Sequence, residues 1–295
     1  MIVITAPTGQ IGQIGQQVLD RLVDTGRPVR VIARDPSRLS ARVRGSVEVV
    51  RGSHQDRDVV TRACEGAESL LWLVPPDPGA HDIDDHYMSF TRSACEANET
   101  RGVRRVVGVT SLGRAYGKHA GLLSPAFAMD ALIESTGVNY RALAMPYFME
   151  NLLHQVGAIR TQGMLFTPNS ASRPLATVAT RDIAAAAAEL LLDDSWRGQD
   201  TVPVIGPDEL SPDAMAAVVS DVLGRPVRCQ ETSPEAYRAT MTRYGTAGAW
   251  AQGLADMAAA QNDGIYDAEQ RALTSPAPTS FREWCQDVLK PAVLA

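Results

Sequence analysis

Lysine is almost missing from this chain of 295 residues: of 28 cationic side chains only Lys118 and Lys290 are lysines, and the rest are arginines. Catalysis by a lysine amine is therefore nearly excluded. Long apolar runs are missing as well. No stretch of about 18 apolar residues occurs, so nothing in the sequence reads as a membrane span. There is no basic block, and the net charge is −6; nucleic acid is excluded as the main partner, because phosphate backbones demand clustered positive charge. The four cysteines, Cys64, Cys95, Cys229 and Cys285, lie far apart and form no C-x-x-C pair. They read as reduced, mostly buried thiols of a cytoplasmic protein. No cationic segment precedes an apolar stretch at the N-terminus, so no signal peptide is expected. What remains is ordinary: 45% apolar and 21% charged residues, the composition of a globular protein. A chain this long buries roughly three quarters of its unfolded surface without covalent staples.

Strand and helix signals alternate through the first half. Met1 to Thr5 is a short β-branched run that ends at a turn. Ile11, Ile14, Val18 and Leu22 then recur at helical spacing until Gly26. Further strands are predicted at 28–33, 47–51, 69–74, 103–110 and 138–143, with helices near 56–65, 83–101 and 123–136. This alternation predicts an α/β fold, a doubly wound parallel sheet of Rossmann type covered on both faces. After about residue 150 the rhythm changes. Helices are predicted at 181–192, 212–223, 234–244, 246–260 and 279–290, with short strands at 201–205 and 226–229. Ser211 and Pro212 supply an N-cap and a first-turn proline for the second of these. The stretch 261–278 shows no apolar period and reads as loop. The expected organisation is a dinucleotide domain over 1–150 and a smaller, mainly helical lobe over 151–295, with interleaving of the two left open.

The most informative stretch is TAPTGQIGQIGQQVL at 5–19, in which Gly-Gln-Ile occurs twice and Gly15 follows. A glycine turn between a strand and a helix lets a phosphate approach bare backbone, and the helix N-terminus adds free N–H groups. The degenerate G-x-x-G-x-x-G pattern is weak alone; its place directly after a strand starting at residue 1 strengthens it.

TAPTGQIG after MIVI resembles the T-G-x-T-G-x-x-G loop of atypical short-chain dehydrogenases/reductases. MPYFMEN at 145–151 resembles a segment of NmrA-like proteins and their quinone- and azo-reducing relatives, and VRVIARDPSRL and RRVVGVTSLG fit the same family. The resemblance covers nearly the whole chain and implies an NAD(P)-binding Rossmann domain with a smaller C-terminal lobe. Two registers compete. Either Ala6, Gly9 and Gly12 occupy the three loop positions with the helix starting near Gln10, or Gly9, Gly12 and Gly15 do. Ala6 follows Thr5 immediately, which favours the first. Three inserted residues turn a helix by about 300°, so the duplication cannot be silent within the helix. Thr5, Thr8, Gly9, Gln10, Ile11, Gly12 and Gly15 are the residues expected to hold the pyrophosphate.

At the end of the second strand an acid binds a ribose hydroxyl, whereas an arginine accommodates a 2′-phosphate. Arg34 stands where the resembling family places its phosphate-binding arginine, and Arg38 follows one turn later, so NADP(H) is preferred over NAD(H). Asp35 blurs this, although before Pro36 it can cap the next turn. Val74 and Pro75 should pass beneath the adenosine and diphosphate. Ser53-His54 replaces the acidic residue usual in the family near the adenine. Thr110 and Ser111 should begin the nicotinamide side of the crevice, with Pro146 and Phe148 beside it.

Ordinary short-chain dehydrogenases use a Tyr-x-x-x-Lys pair as proton relay. Here the residues four places after the tyrosines are Thr91, Ala120, Ala144, Asn151, Met241, Gly248 and Gln270; none is lysine. Tyr116 and Lys118, two apart, point to different sides of a helix. Ser111, Tyr147 and Asn151 are the remaining catalytic candidates, and Tyr147, Phe148, Asn151 and Trp250 the substrate-pocket candidates. The segment His81 to His86 offers no metal triad, and no metal is expected. The function expected is reduction of a flat conjugated acceptor, a quinone or aromatic polyketide-like carbonyl, by NADPH. A non-catalytic NAD(P) sensor and a cofactor-primed cyclisation or coupling of a quinoid are the alternatives. The partner is a small aromatic molecule, and the protein a monomer or homodimer.

Overall fold

A computed structural model of the chain describes residues 1–8, 14–272 and 275–295. In the first half, β1 (Ile2–Ile4), α1 (Ile14–Leu22), β2 (Val29–Ala33), α2 (Ala41–Ser46), β3 (Glu48–Arg51), α3 (Arg57–Ala63), β4 (Ser69–Trp72), α4 (Ile83–Arg101), β5 (Arg105–Ser111), α5 (Ser124–Ser135) and β6 (Asn139–Met145) follow in turn. The second half comprises β7 (Tyr147–Phe148), α6 (Val156–Gln162), β8 (Met164–Thr167), β9 (Leu175–Val178), α7 (Thr180–Leu192), β10 (Gln199–Pro203), β11 (Glu209–Leu210), α8 (Pro212–Leu223), β12 (Arg228–Glu231), α9 (Pro234–Arg243), α10 (Gly248–Asn262) and α11 (Asp267–Ala272). A last helical stretch, Phe281–Leu294, contains a π turn at Cys285–Leu289. There the ring of Pro291 crowds the carbonyl four residues back and removes a donor.

Seven parallel strands form the main sheet in the order β10-β6-β5-β4-β1-β2-β3. The order reverses between β1 and β4, which opens a crevice beyond their carboxyl ends. Side chains alternate across the sheet as period two requires. Ile2, Ile4, Leu71, Val107 and Leu143 face α1 and α7, while Val3, Leu70, Trp72, Val106 and Tyr140 face α3, α4 and α5. Each fully buried aliphatic side chain of this size contributes roughly 1.5–3 kcal/mol. A third core, around Met149, Leu165, Phe281 and Trp284, belongs to the smaller lobe.

Local signals explain the helix ends. Asp82 accepts from the Asp85 N–H at 2.8 Å to open α4, and Gly102 at φ 70° closes it. Ser211 accepts from Ala214 N at 3.2 Å with Pro212 behind it, opening α8. Two expectations need revision. The strand expected at 201–205 is Gln199–Pro203, and it pairs with β6; together with α7, which packs beside α1, it interleaves the second half of the chain with the first. The stretch 261–278 is not plain loop. It buries Ile265 and Tyr266 and then forms α11, whose first turn carries Asp267 and Glu269, acids that suit a helix N-terminus. Among the described residues no helix is long and apolar enough to cross a membrane.

Candidate active site

The crevice is built from the turns that follow β1, β2, β4, β5 and β6. At β1 the Thr5 hydroxyl donates to Leu71 O at 2.9 Å and accepts from Leu73 N at 3.0 Å. That side chain ties β1 to β4, and its single O–H donor is spent on Leu71 O, leaving none for a phosphate. Ala6 follows at φ 48°, the one non-glycine residue with positive φ among those described. An L-residue in that region costs about 1–2 kcal/mol, so a tight turn is imposed here on a residue that resists it. Gly15, at the start of α1, abuts this turn. A Cβ on Gly15 would lie 2.4 Å from Ala6 O and 3.3 Å from Pro7 Cα. Ala6 thus stands at the tight turn and Gly15 at the close helix contact, with the duplicated triplet between them. Gly9, Gln10, Ile11 and Gly12, and a helix start near Gln10, lie outside the described residues. Thr8 is partly exposed at the edge of the turn.

The end of the crevice expected to take the adenosine lies at β2 and β3. Asp35 is committed to a cap: its Oδ1 accepts from Ser37 N at 3.0 Å and from Ser37 Oγ at 2.6 Å, which holds its carboxyl below the usual range. Arg34, Arg38 and Arg51 are exposed around it. No ion pair or hydrogen bond engages their guanidinium groups among the described residues. Register explains why Arg51 joins them, because it pairs with Ala33 next to Arg34. His54 donates Nε2–H to Leu73 O at 3.0 Å and packs edge-on to Phe90 and Trp72. Burial, with Arg34 and His86 adding to it, pushes its pKa down to about 4, so a neutral ring stands where the resembling family carries an acid. Past β4, Val74 is buried and Pro75 accepts from His86 Nε2–H at 2.8 Å. His86 is thereby used to hold the loop. No group of three or more His, Cys, Asp or Glu residues is placed to hold a metal among those described.

The opposite end of the crevice lies at β5 and β6. Thr110, expected to face the nicotinamide, is turned into the core. Its Oγ1 donates to Asp130 Oδ2 at 2.7 Å, while Tyr140 donates to Asp130 Oδ1 at 2.6 Å. The reason is the pleat: Thr110 lies on the α5 side, together with Tyr140 and Asp130. Burial, against those two bonds, pushes Asp130 up to about 6. Ser111, one residue on, is partly exposed and donates weakly to Leu112 O at 3.1 Å or Met145 O at 3.4 Å. Pro146 is buried. Tyr147 and Phe148 form β7, paired to Thr177 and Val178. The Tyr147 phenol, raised mainly by burial, meets Asn151 and lies beside Tyr237 of α9. Phe148 packs against the α1/α7 side of the sheet, and Trp250 is buried on α10.

Three residues carry roles that no local pattern announces. Glu150 accepts from Thr180 N at 3.1 Å and Trp284 Nε1 at 3.0 Å, fastening β7 to α7 and the C-terminal stretch. Tyr237 and Tyr266 reach the crevice from the smaller lobe. In QNDGIYDAEQ the only hint is an apolar pair after Gly264, too short to show a period. Lys118 pairs with Asp263 at 2.9 Å on the surface, and Tyr116 donates to the same carboxylate at 2.7 Å, so this pair serves a surface ion pair.

A family model described as NAD(P)H-binding matches residues 9–194. The chain is 32% identical, over 80% of its length and 80% of the relative's, to a (4-alkanoyl-5-oxo-2,5-dihydrofuran-3-yl)methyl phosphate reductase of Streptomyces griseus. It is 25% identical to an NAD(P)H azoreductase of Xenophilus azovorans, over 94% of this chain and 95% of that one. In fold it is similar to the crystal structure of an NADPH-dependent quinone oxidoreductase of Escherichia coli complexed with NADPH: TM-score 0.80, 22% identity, covering 98% of this chain and all of that one.

Proposed function

The chain belongs to the NAD(P)H-binding family, and on that premise we propose that it is an NADPH-dependent reductase of a conjugated acceptor. The observation that carries the reading is the crevice itself. It has the start of α1 packed on the turn after β1 at one side, exposed arginines with no ion pair among the described residues at β2 and β3, and hydroxyl groups without an ammonium at the other end. The relatives that share this framework reduce an acyl-dihydrofuranone phosphate and an azo compound by name. In both, the electron pair that hydride addition displaces can be delocalised.

The residues present fit the cofactor. A methyl group on Gly15 would run into Ala6 O, so the start of α1 packs directly on the turn after β1, the close approach that sets a helix N-terminus over a pyrophosphate. By their order in the sequence, Thr8, Gly9, Gln10, Ile11 and Gly12 are the residues assigned to the pyrophosphate. Arg34 and Arg38, with Arg51 beside them, take the 2′-phosphate that distinguishes NADPH from NADH; Asp35 has Oδ1 engaged by Ser37 and is outnumbered there by the three arginines. Val74 and Pro75 floor the adenosine and diphosphate. Ser111, Pro146 and Phe148 frame the nicotinamide.

NADPH supplies the hydride when bound. Tyr147, Phe148, Asn151 and Trp250 hold the acceptor flat against the crevice. Residues 1–150, joined by α7 and β10, carry the cofactor, and the rest of 151–295 forms the smaller, substrate-binding lobe. A conjugated acceptor becomes an enolate or phenolate on taking hydride, an anion that needs far less acid assistance than an alkoxide. Orientation and exclusion of water are then the main contribution of the protein. The test is to mix the protein with NADPH or NADH and a panel of quinones, azo dyes and acyl-dihydrofuranones, following the loss of nicotinamide absorbance. Consumption of NADPH in preference to NADH with at least one acceptor supports the reading. Tight binding of both redox forms without consumption favours a sensor.

A further inference from the structure

Behind Ser111 runs a chain of polar groups that the framing of the nicotinamide does not use. The Ser111 hydroxyl lies beside the phenol of Tyr266, a residue only 5% exposed, and in the resting protein it donates to Leu112 O at 3.1 Å or Met145 O at 3.4 Å. The phenol oxygen also accepts from Gln261 Nε2–H at 3.1 Å. Gln261 is itself oriented, because its Oε1 accepts from Asn169 Nδ2–H at 2.8 Å. Glu269, the charged group facing the phenol, accepts from Gly113 N at 3.0 Å. The segment is pressed onto the end of β5: a Cβ on Gly113 would lie 2.2 Å from Ile265 Cγ1. Smaller-lobe residues are thus seated directly against the last residue of a main-sheet strand. Burial keeps the phenol above its ordinary value, so it is protonated in the resting protein.

We propose that Tyr266 is the proton reservoir of the reaction, delivering through the Ser111 hydroxyl the proton that the reduced acceptor takes up. This rests on the reductase reading. Hydride adds to one end of the conjugated acceptor, and the displaced electron pair moves to the acceptor oxygen. Ser111 Oγ–H gives its proton to that oxygen, and Tyr266 O–H replaces it on Ser111. The phenolate left behind keeps the Gln261 N–H as its donor and regains a proton from water after product leaves. Hydride and proton account for both hydrogens gained, and the two electrons arrive with the hydride. Ser111 is then the catalytic residue and Tyr266 the positioning residue behind it, a division that replaces the missing Tyr-x-x-x-Lys pair with a relay spread over both lobes.

The test measures single-turnover rates with NADPH and an acyl-dihydrofuranone for wild type, Tyr266→Phe, Ser111→Ala and the double variant. NADPH affinity and melting temperature are measured alongside as checks on folding. Each single substitution should slow turnover roughly 100-fold, the lower end of a general-acid contribution, with NADPH affinity within about twofold in Tyr266→Phe, which lies behind the cofactor site. The double variant should be no slower than the slower single one, since both break one relay. The solvent deuterium isotope effect should fall toward unity in all three. An unchanged rate in Tyr266→Phe, multiplying losses in the double variant, or a loss that follows NADPH affinity overturns the relay alone. A wild type that consumes no NADPH with any conjugated acceptor overturns the reductase reading and the relay with it.

Discussion

Replacing Gly15 with alanine tests the cradle at the start of α1. The new methyl carbon would stand 2.4 Å from Ala6 O, where ordinary contact begins near 3.4 Å. The turn and the helix must therefore part by about 1 Å. The helix cannot simply slide away, because Ile14, Val18, Leu19 and Leu22 are buried against the sheet and α7. Overpacking of this kind costs about 1–3 kcal/mol, equivalent to roughly 2–10 °C in melting temperature for a chain of this size. Moving the helix start also costs at least one hydrogen bond to a charged phosphate, about 1.5–3 kcal/mol, or roughly 10–100-fold in NADPH affinity. Fluorescence titration with NADPH and thermal melts of Gly15→Ala are the assays. Gly157→Ala is the control, since nothing lies within 4 Å of a Cβ there; it should leave affinity unchanged. Gly15→Ala protein that binds NADPH within twofold of wild type and melts at the same temperature would refute the argument.

Ala6→Gly should raise the melting temperature by a few degrees: relief of a left-handed L-residue, about 1–2 kcal/mol, exceeds the added chain entropy of glycine, about 0.5–1 kcal/mol. A lower melting temperature would show that Ala6 is not strained. Arg34→Ala should weaken NADPH binding roughly 10–100-fold, the value of one charge-assisted hydrogen bond, and leave NADH within about twofold; calorimetry showing equal losses for both coenzymes would remove Arg34 from the 2′-phosphate. Asp130 titrates at about 6 in the folded chain against 3.8 unfolded. Its folded form holds the proton more tightly, so stability falls as pH rises through that window, by at most about 3 kcal/mol. Denaturant melts of wild type and Asp130→Asn between pH 4 and 7 should diverge along that slope, and parallel curves would contradict the assignment.

Much of the fold was legible because its signals are local. Asp82 and Gly102 mark both ends of α4, and Ser211 with Pro212 marks the start of α8. The short runs that become β1 to β6 each end within three residues of a glycine or proline. Long-range pairing is different in kind. Tyr147-Phe148 is a strand only because Thr177-Val178 comes alongside, and two residues carry no period. Likewise Gln199–Pro203 reads as a strand, but nothing local tells it to join β6. The site divides in the same way. The glycine turn and Arg34 follow from chain order and chemistry. The inward aim of Thr110 depends on the pleat, and the commitment of Thr5 to Leu71 and Leu73 depends on sheet order. Tyr266 reaches Ser111 across 155 positions of sequence, so no window short enough to show periodicity contains both.

The central claim is that hydride passes from NADPH to a conjugated acceptor held in this crevice. NADPH carrying deuterium at C4 of the ring, mixed with the protein and an acyl-dihydrofuranone or a quinone, tests it most directly, with the product analysed by mass spectrometry or NMR. Deuterium delivered from one face of the ring, and found at the position that hydride addition selects, is the predicted result. With the acyl-dihydrofuranone, a reduced product whose new C–H hydrogen comes only from water, or no reduced product from any acceptor despite bound NADPH, would contradict it.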